Sequence, residues 1–155
     1  MSSTEKTESP ITAEMYRLLL QIALLGAEVR DFDTSTEIAE AVRDAHPDLP
    51  HSRAVLGMIR LAAGQKDEAI RELETALELF PDFQLGKALL GVSMKSGGRS
   101  GWQSLLEDVI EDGRDEFAVG MASEILGRPR DAAAGASIGS SPQPPDAAPG
   151  HIVWA

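Results

Sequence analysis

The sequence predicts an all-α fold, a solenoid of stacked helix hairpins, from three observations. The segment 46–98 nearly repeats itself with a period of 34 residues. Pro47-Asp48-Leu49 returns as Pro81-Asp82-Phe83, Ala54 as Ala88, Leu56-Gly57 as Leu90-Gly91, and Gly64 as Gly98. A period of 34 is that of the tetratricopeptide (TPR) hairpin. Apolar residues recur at helical spacing, and no segment sustains a two-residue alternation, so no sheet is expected.

The elements follow in order. Residues 1–11 are polar and read as a disordered start to a helical domain over 12–126. Thr12 can cap a first helix, with Glu14 in its first turn. Over 13–28, Met15, Leu18, Leu19, Ile22 and Leu25 fall at helical spacing, with Val29 just beyond. The polar run 31–35 breaks the pattern, and Thr34 or Ser35 is expected to cap a second helix reaching Ala45, with Ile38, Ala39, Ala41 and Val42 inward. Two prolines make 46–50 a turn. A third helix is expected over 52–63, ended by Gly64 in the left-handed conformation. A fourth starts at Asp67 as its cap and stops at Pro81, with Ala69, Ile70, Leu73, Ala76, Leu77 and Phe80 on one side. A fifth over 83–96, a sixth over 102–111 and a seventh over 115–126 complete a TPR-like solenoid of about three hairpins plus a C-terminal capping helix.

The best unit is 50–83. Leu56-Gly57 supplies its Leu-Gly pair, Ala69 and Ala76 the small contacts, Leu73 the large one, and Pro81 the stop. Arg53 and Arg60 stand where aromatics are usual. The third unit keeps Leu90-Gly91 but has Gln103 in place of Ala and Asp115 in place of Pro; the first keeps Ile22-Ala23 and Pro47.

Composition removes several function classes. The chain of 155 residues has room for one domain, and 43% hydrophobic residues suffice for a core. It has no cysteine, which excludes disulfide scaffolds, thiolate metal sites and a cysteine nucleophile. No basic region followed by an apolar run marks a secretory leader, and the stretch 18–29 is too short to span a bilayer. The net charge of −11 lies entirely on 1–126, because the charges of the tail cancel. Such a surface repels nucleic acid and anionic lipid.

No catalytic constellation is present, so no enzyme, cofactor or metal is expected. His46, Asp48 and His51 share a Pro-rich turn, a pattern that chance supplies readily. Gly97-Gly98-Arg99-Ser100-Gly101 lacks the Lys-Ser/Thr ending of a phosphate loop and reads as a helix-to-helix turn. The paired acids Glu107-Asp108 and Glu111-Asp112 read as a solvated helix face. Residues 127–155, rich in Pro, Ala, Gly and Ser, read as a disordered tail. Its apolar His151-Ile152-Val153-Trp154-Ala155 reads as an inert end, with a short docking motif as the alternative.

Stacked hairpins expose a concave face, lined mainly by the first helix of each unit. On the TPR register it carries Leu20, Leu24 and Ala27, then Ala54, Met58 and Leu61, then Leu85, Ala88, Val92 and Lys95. An apolar face of this kind suits an amphipathic helix, with Lys95 available to a client carboxylate. The alternative is that the N-terminal helix or a second copy of the chain covers it.

Two stretches go beyond a generic TPR. One is Leu85-Gly86-Lys87-Ala88-Leu89-Leu90-Gly91, followed by Gly101-Trp102. The other runs over 106–115 as LEDVIEDGRD, followed by Ala118 and Ile125-Leu126-Gly127. With the turn Pro47-Asp48-Leu49-Pro50, they resemble the small TPR-like proteins of bacterial type III secretion, the HrpB/HrpK-type proteins and the YscG/PscG-type needle chaperones. Ile22-Ala23-Leu24-Leu25-Gly26 is similar to the opening helix of the needle-chaperone branch. The resemblance covers 13–127 and implies a cytoplasmic chaperone. Such a chaperone joins a second small helical protein and holds a needle or pilus subunit in its groove, preventing polymerisation before export. Chaperoning of translocators, or a structural or adaptor role in the secretion machine, are the alternatives, and a homodimer is a further option.

Overall fold

The computed structural model describes residues 12–128, and among them seven helices and no strand. Three hairpins pair α1 (Ala13–Glu28) with α2 (Phe32–Ala45), α3 (Pro50–Ala62) with α4 (Lys66–Leu79), and α5 (Gln84–Ser96) with α6 (Trp102–Asp112); α7 (Glu116–Ile125) closes the stack. Each helix also packs on the next, and α1 touches α3, α3 touches α5, and α5 touches α7. The backbones of α2, α4 and α6 do not pack against one another, and between α2 and α4 Arg43 reaches Glu72 only through its long side chain, at 3.9 Å. The odd-numbered helices therefore form a close inner layer and the even-numbered ones splay outside it, which gives the TPR-like solenoid its concave side.

The period-34 residues make the contacts that the repeat needs. A Cβ on Gly57 would lie 2.8 Å from Leu73 Cγ, and one on Gly91 would lie 2.7 Å from Leu106 Cδ2. The Leu-Gly pair thus lets a large side chain of the second helix reach the backbone of the first. In the first hairpin Ala23 and Ala39, both fully buried, hold the corresponding places. Three apolar clusters result, in which Leu56, Leu73 and Leu106 are fully buried.

The turns inside the hairpins repeat as well. Gly64 and Gly98 both adopt left-handed φ, at 81° and 69°, and the following residue donates its N–H back to the helix, Gln65 to Arg60 O and Arg99 to Met94 O. In the first hairpin that place is filled by Arg30, with φ 66°, while Asp31 N–H bonds Gly26 O at 2.9 Å. A residue with a Cβ is strained in that conformation by about 1 kcal/mol. Arg30→Gly is therefore expected to stabilise the chain by up to about 1 kcal/mol, measured by urea unfolding.

Three helix starts differ from expectation. The second helix is capped by Asp31, whose Oδ1 accepts from Thr34 N–H at 3.3 Å, while Ser35 lies buried inside it with its Oγ donating to Asp31 O at 2.7 Å. The earlier start lets Phe32 pack against the first cluster. The third begins at Pro50, whose fixed φ suits the first helical position. Asp67 sits in the first turn of α4 behind the cap residue Gln65, and its carboxylate accepts from Arg99 at 2.8 Å.

Residues 1–11 and 129–155, read from sequence as disordered, lie outside the described residues. Gly127 and Arg128 are described and remain tied to the domain: Arg128 N–H donates to Ser123 O at 2.8 Å and its guanidinium to Glu107 at 3.1 Å.

Candidate functional site: the inner-layer cleft and the face of α1

A cleft of about 240 Å³ opens between α1 and α3, lined by Leu24, Ala27, Glu28, Met58, Ile59 and Ala62. Its position follows from the repeat. Leu24 and Met58 are 34 residues apart, as are Glu28 and Ala62, so the same register faces the same side of adjacent inner helices. The walls are apolar, and Glu28 supplies a carboxylate at the edge.

The structure brings only part of the expected groove together. Leu24 and Met58 line the cleft, with Ala27 beside them. Leu61 and Val92 are half-buried. Leu20 packs on the first cluster and Leu85 on the second. Ala54 and Ala88 are corrections: at 2% and 0% exposure they belong to the core and reach no partner. Their small size marks close helix packing, not a lining. Lys95 is exposed and also makes contacts within the chain. Its ammonium lies 4.9 Å from the Trp102 ring centroid and donates to Ile125 O at 3.3 Å, so it ties α5 to α6 and to the end of α7.

The largest exposed apolar surface lies elsewhere. Met15, Leu18, Ile22, Leu25 and Val29 are between 50% and 77% exposed. They fall at alternating steps of three and four, the a and d places of two heptads. The opposite side of α1 supplies the core through Tyr16 and Ala23, with Leu20, Leu24 and Ala27 against it. The residues that make the first helix look amphipathic in the sequence are thus largely the ones that face outward.

Polar groups at the helix crossings serve packing. Glu72 of α4 is buried, and its carboxylate accepts from Arg53 at 2.8 Å and Arg60 at 3.0 Å, with Arg43 at 3.9 Å. Arg60 also reaches Glu40 at 3.4 Å. The two arginines that replace the usual aromatics thus clamp α3 to α4 and α2. At the opposite edge, the hydrogen bond from Arg114 at 2.6 Å holds the Asp112 carboxyl below its ordinary range, while the buried Gln84 donates to the same group at 3.2 Å. The turn histidines are packed against rings, His46 on Tyr16 with centroids 3.7 Å apart and His51 on Phe83 at 5.4 Å. No group of three metal-ligating side chains is present among the described residues. No helix among them is long and apolar enough to cross a membrane.

The chain is similar in structure to the type III secretion translocator chaperone SycD of Yersinia enterocolitica, in an alternative dimer, with a TM-score of 0.61 at 17% identity, covering 76% of this chain and 96% of that one. It is also similar to the Sgt2 TPR domain of Aspergillus fumigatus, with a TM-score of 0.58 at 16% identity, covering 88% and 92%. At these identities the likeness establishes the TPR fold. No curated protein matches the sequence. The model of the bacterial type III secretion protein family HrpB1_HrpK matches residues 7–131, which span the whole helical stack, and the chain belongs to that family.

Proposed function

We propose that the chain is a non-enzymatic type III secretion chaperone that holds a needle or pilus subunit and prevents its polymerisation before export. The observation that carries this reading is the apolar cleft on the inner layer, where Leu24 and Met58 present equivalent repeat positions to one ligand. An amphipathic client helix with apolar anchors at helical spacing would cross these positions and continue over the half-buried Leu61 and Val92. Met58, unbranched and polarisable, adapts to the shape of such an anchor. The reading places the chain in the cytoplasm, where an unexported subunit is met. The test is to purify the chain from its native host and identify co-eluting proteins. A stoichiometric small helical subunit, lost on Met58→Glu with helicity unchanged, is the expected result. Fractionation with the envelope would turn the reading toward a component of the secretion machine.

The size of the cleft favours one second reading, a translocator chaperone such as SycD. About 240 Å³ takes one or two side chains of an extended segment. A short unstructured client peptide would then bind as well as the whole client, whereas the needle reading requires the intact helix.

The stripe on α1 is a separate surface, for a second helical protein. Ile22 and Val29 at a with Leu18 and Leu25 at d is the combination that favours two-stranded packing. Glu14, Arg17, Glu28 and Arg30 cancel over 13–30, so the overall charge of −11 does not load this helix. A second copy of the chain satisfies both conditions, and a separate helical co-chaperone is the competing occupant.

A further inference from the structure

The cleft between α1 and α3 and Arg128, after which the apolar segment 151–154 follows in the sequence, are far apart along the chain, yet the fold brings the cleft and Arg128 to one edge. The cleft lies at the C-terminal ends of α1 and α3. Lys66, four residues past the end of α3, donates to Ser96 O at the end of α5 at 2.8 Å. Lys95 beside it donates to Ile125 O at the end of α7 at 3.3 Å. Arg128, where the described chain leaves the domain, folds back on that same end through Ser123 O. The four inner helices therefore finish along one rim, with the cleft at its start and Arg128 at its finish.

The distance suits the connection. Three steps between packed helices, each of about 8–10 Å, separate α7 from α1, or about 25–30 Å in all. Residues 129–150 provide 22 residues between Arg128 and His151. A Gly/Ser-rich coil of that length has an r.m.s. span of about 25 Å, and prolines such as the five within 129–150 lengthen the reach of a linker. A connector whose span matches the separation of two sites gives the highest effective concentration of one at the other.

The chemistry suits it as well. The cleft has apolar walls and one carboxylate at its edge, Glu28. Trp is an apolar body with a single N–H donor and is favoured where one side is dry and the other wet. Ile152 and Val153 precede Trp154 and add further apolar surface.

We propose that the segment Ile152-Val153-Trp154 docks in its own chain's cleft, with Trp154 between Leu24 and Met58 and its indole N–H donating to Glu28. The docked segment competes with any ligand of the cleft, so the tail is a built-in occupant that a client must displace. This goes beyond the chaperone reading, because self-docking needs no client.

The chain has two tryptophans, Trp102 and Trp154. Trp102→Phe keeps a ring beneath Lys95 and leaves Trp154 as the only indole. In the full-length Trp102→Phe chain, Trp154 emission is expected to be blue-shifted and several-fold less quenched by acrylamide than that of a free peptide of residues 147–155. Adding Met58→Glu should return both to the peptide values, with the circular dichroism unchanged. Emission equal to that of the peptide before the second change overturns the proposal. So does a blue shift that survives Met58→Glu but is lost on Leu25→Glu, which places the segment on the α1 stripe. A blue shift that vanishes on dilution overturns docking within one chain. Should Trp102→Phe fail to fold, the difference spectrum between the natural chain and Trp154→Phe reads the same quantity. None of these outcomes depends on whether a secretion client exists.

Discussion

Glu72→Ala is expected to lower the unfolding free energy by about 3 kcal/mol, because it removes the buried carboxylate of an ion cluster. Glu72 keeps only 8% of its side chain in contact with solvent, and Arg53, Arg60 and Arg43 keep 17%, 19% and 21%. Removing the carboxylate takes from Arg53 its carboxylate partner and leaves three guanidinium groups close together in a partly dry seam, with Glu40 still beside Arg60 and Asp44 still bonded to Arg43. The penalty comes from the under-compensated positive charge, that of Arg53 above all, more than from the worth of the pairs. Replacing Arg53 and Arg60 by tyrosine together with Glu72→Leu, which approaches the usual TPR composition, should therefore cost far less than the single change, or nothing. Urea unfolding of the two variants side by side decides it. If the single change costs as little as the triple, the cluster is a surface pair and not a clamp.

The clamp shows how much of this fold is legible in the residues. Arg53 and Arg60 stand out in the sequence as departures from the repeat, but nothing local says that Glu72, 12 and 19 residues away, will meet both. By contrast, the markers with a direct steric meaning carry over intact. Gly57 and Gly91 predict a close crossing, and Leu73 and Leu106 occupy the space where a Cβ would be. The first hairpin is harder to read because it has lost its markers. Arg30 stands where Gly64 and Gly98 would predict glycine, and Ala23 stands where Gly57 would. The chain folds there in the same way because the helix-end hydrogen bonds and the buried Ala23 and Ala39 preserve the geometry.

The binding surface was less legible than the fold, for two reasons. Small residues such as Ala54 and Ala88 are compatible with a groove or with a tight crossing, and here the crossing wins. Long cations such as Lys95 are compatible with a client carboxylate and with an internal helix end, and Lys95 reaches Ile125 O while staying exposed. In α1 the ambiguity is greater. Leu18, Leu19, Leu20, Leu24 and Leu25 surround the helix, so periodicity alone cannot choose the inward face. Tyr16 and Ala23 decide it, together with Gly26, whose missing Cβ leaves room for Ser35 of α2.

That choice leaves the heptad stripe outside, and the double change Leu18→Glu with Leu25→Glu is expected to convert a dimer to a monomer. A monomer rarely leaves a contiguous apolar face of this length in water. Two heptads alone make a weak coiled coil, but α1 is already held helical by its packing on α2 and α3. Association therefore does not have to order the helix, which is the usual cost of so short a seam. Both leucines are more than half exposed, at 57% and 59%, so the changes should leave the monomer fold intact. Light scattering coupled to size exclusion reads the mass, and circular dichroism checks the helices. A dimer lost in the variant assigns the stripe to a second copy. A natural chain that is monomeric at every concentration assigns it to a different helical protein, and the same double change should then remove that protein from the material purified from the native host. Because the stripe and the cleft lie on different faces of α1, Met58→Glu should leave the dimer unchanged, which separates the two surfaces.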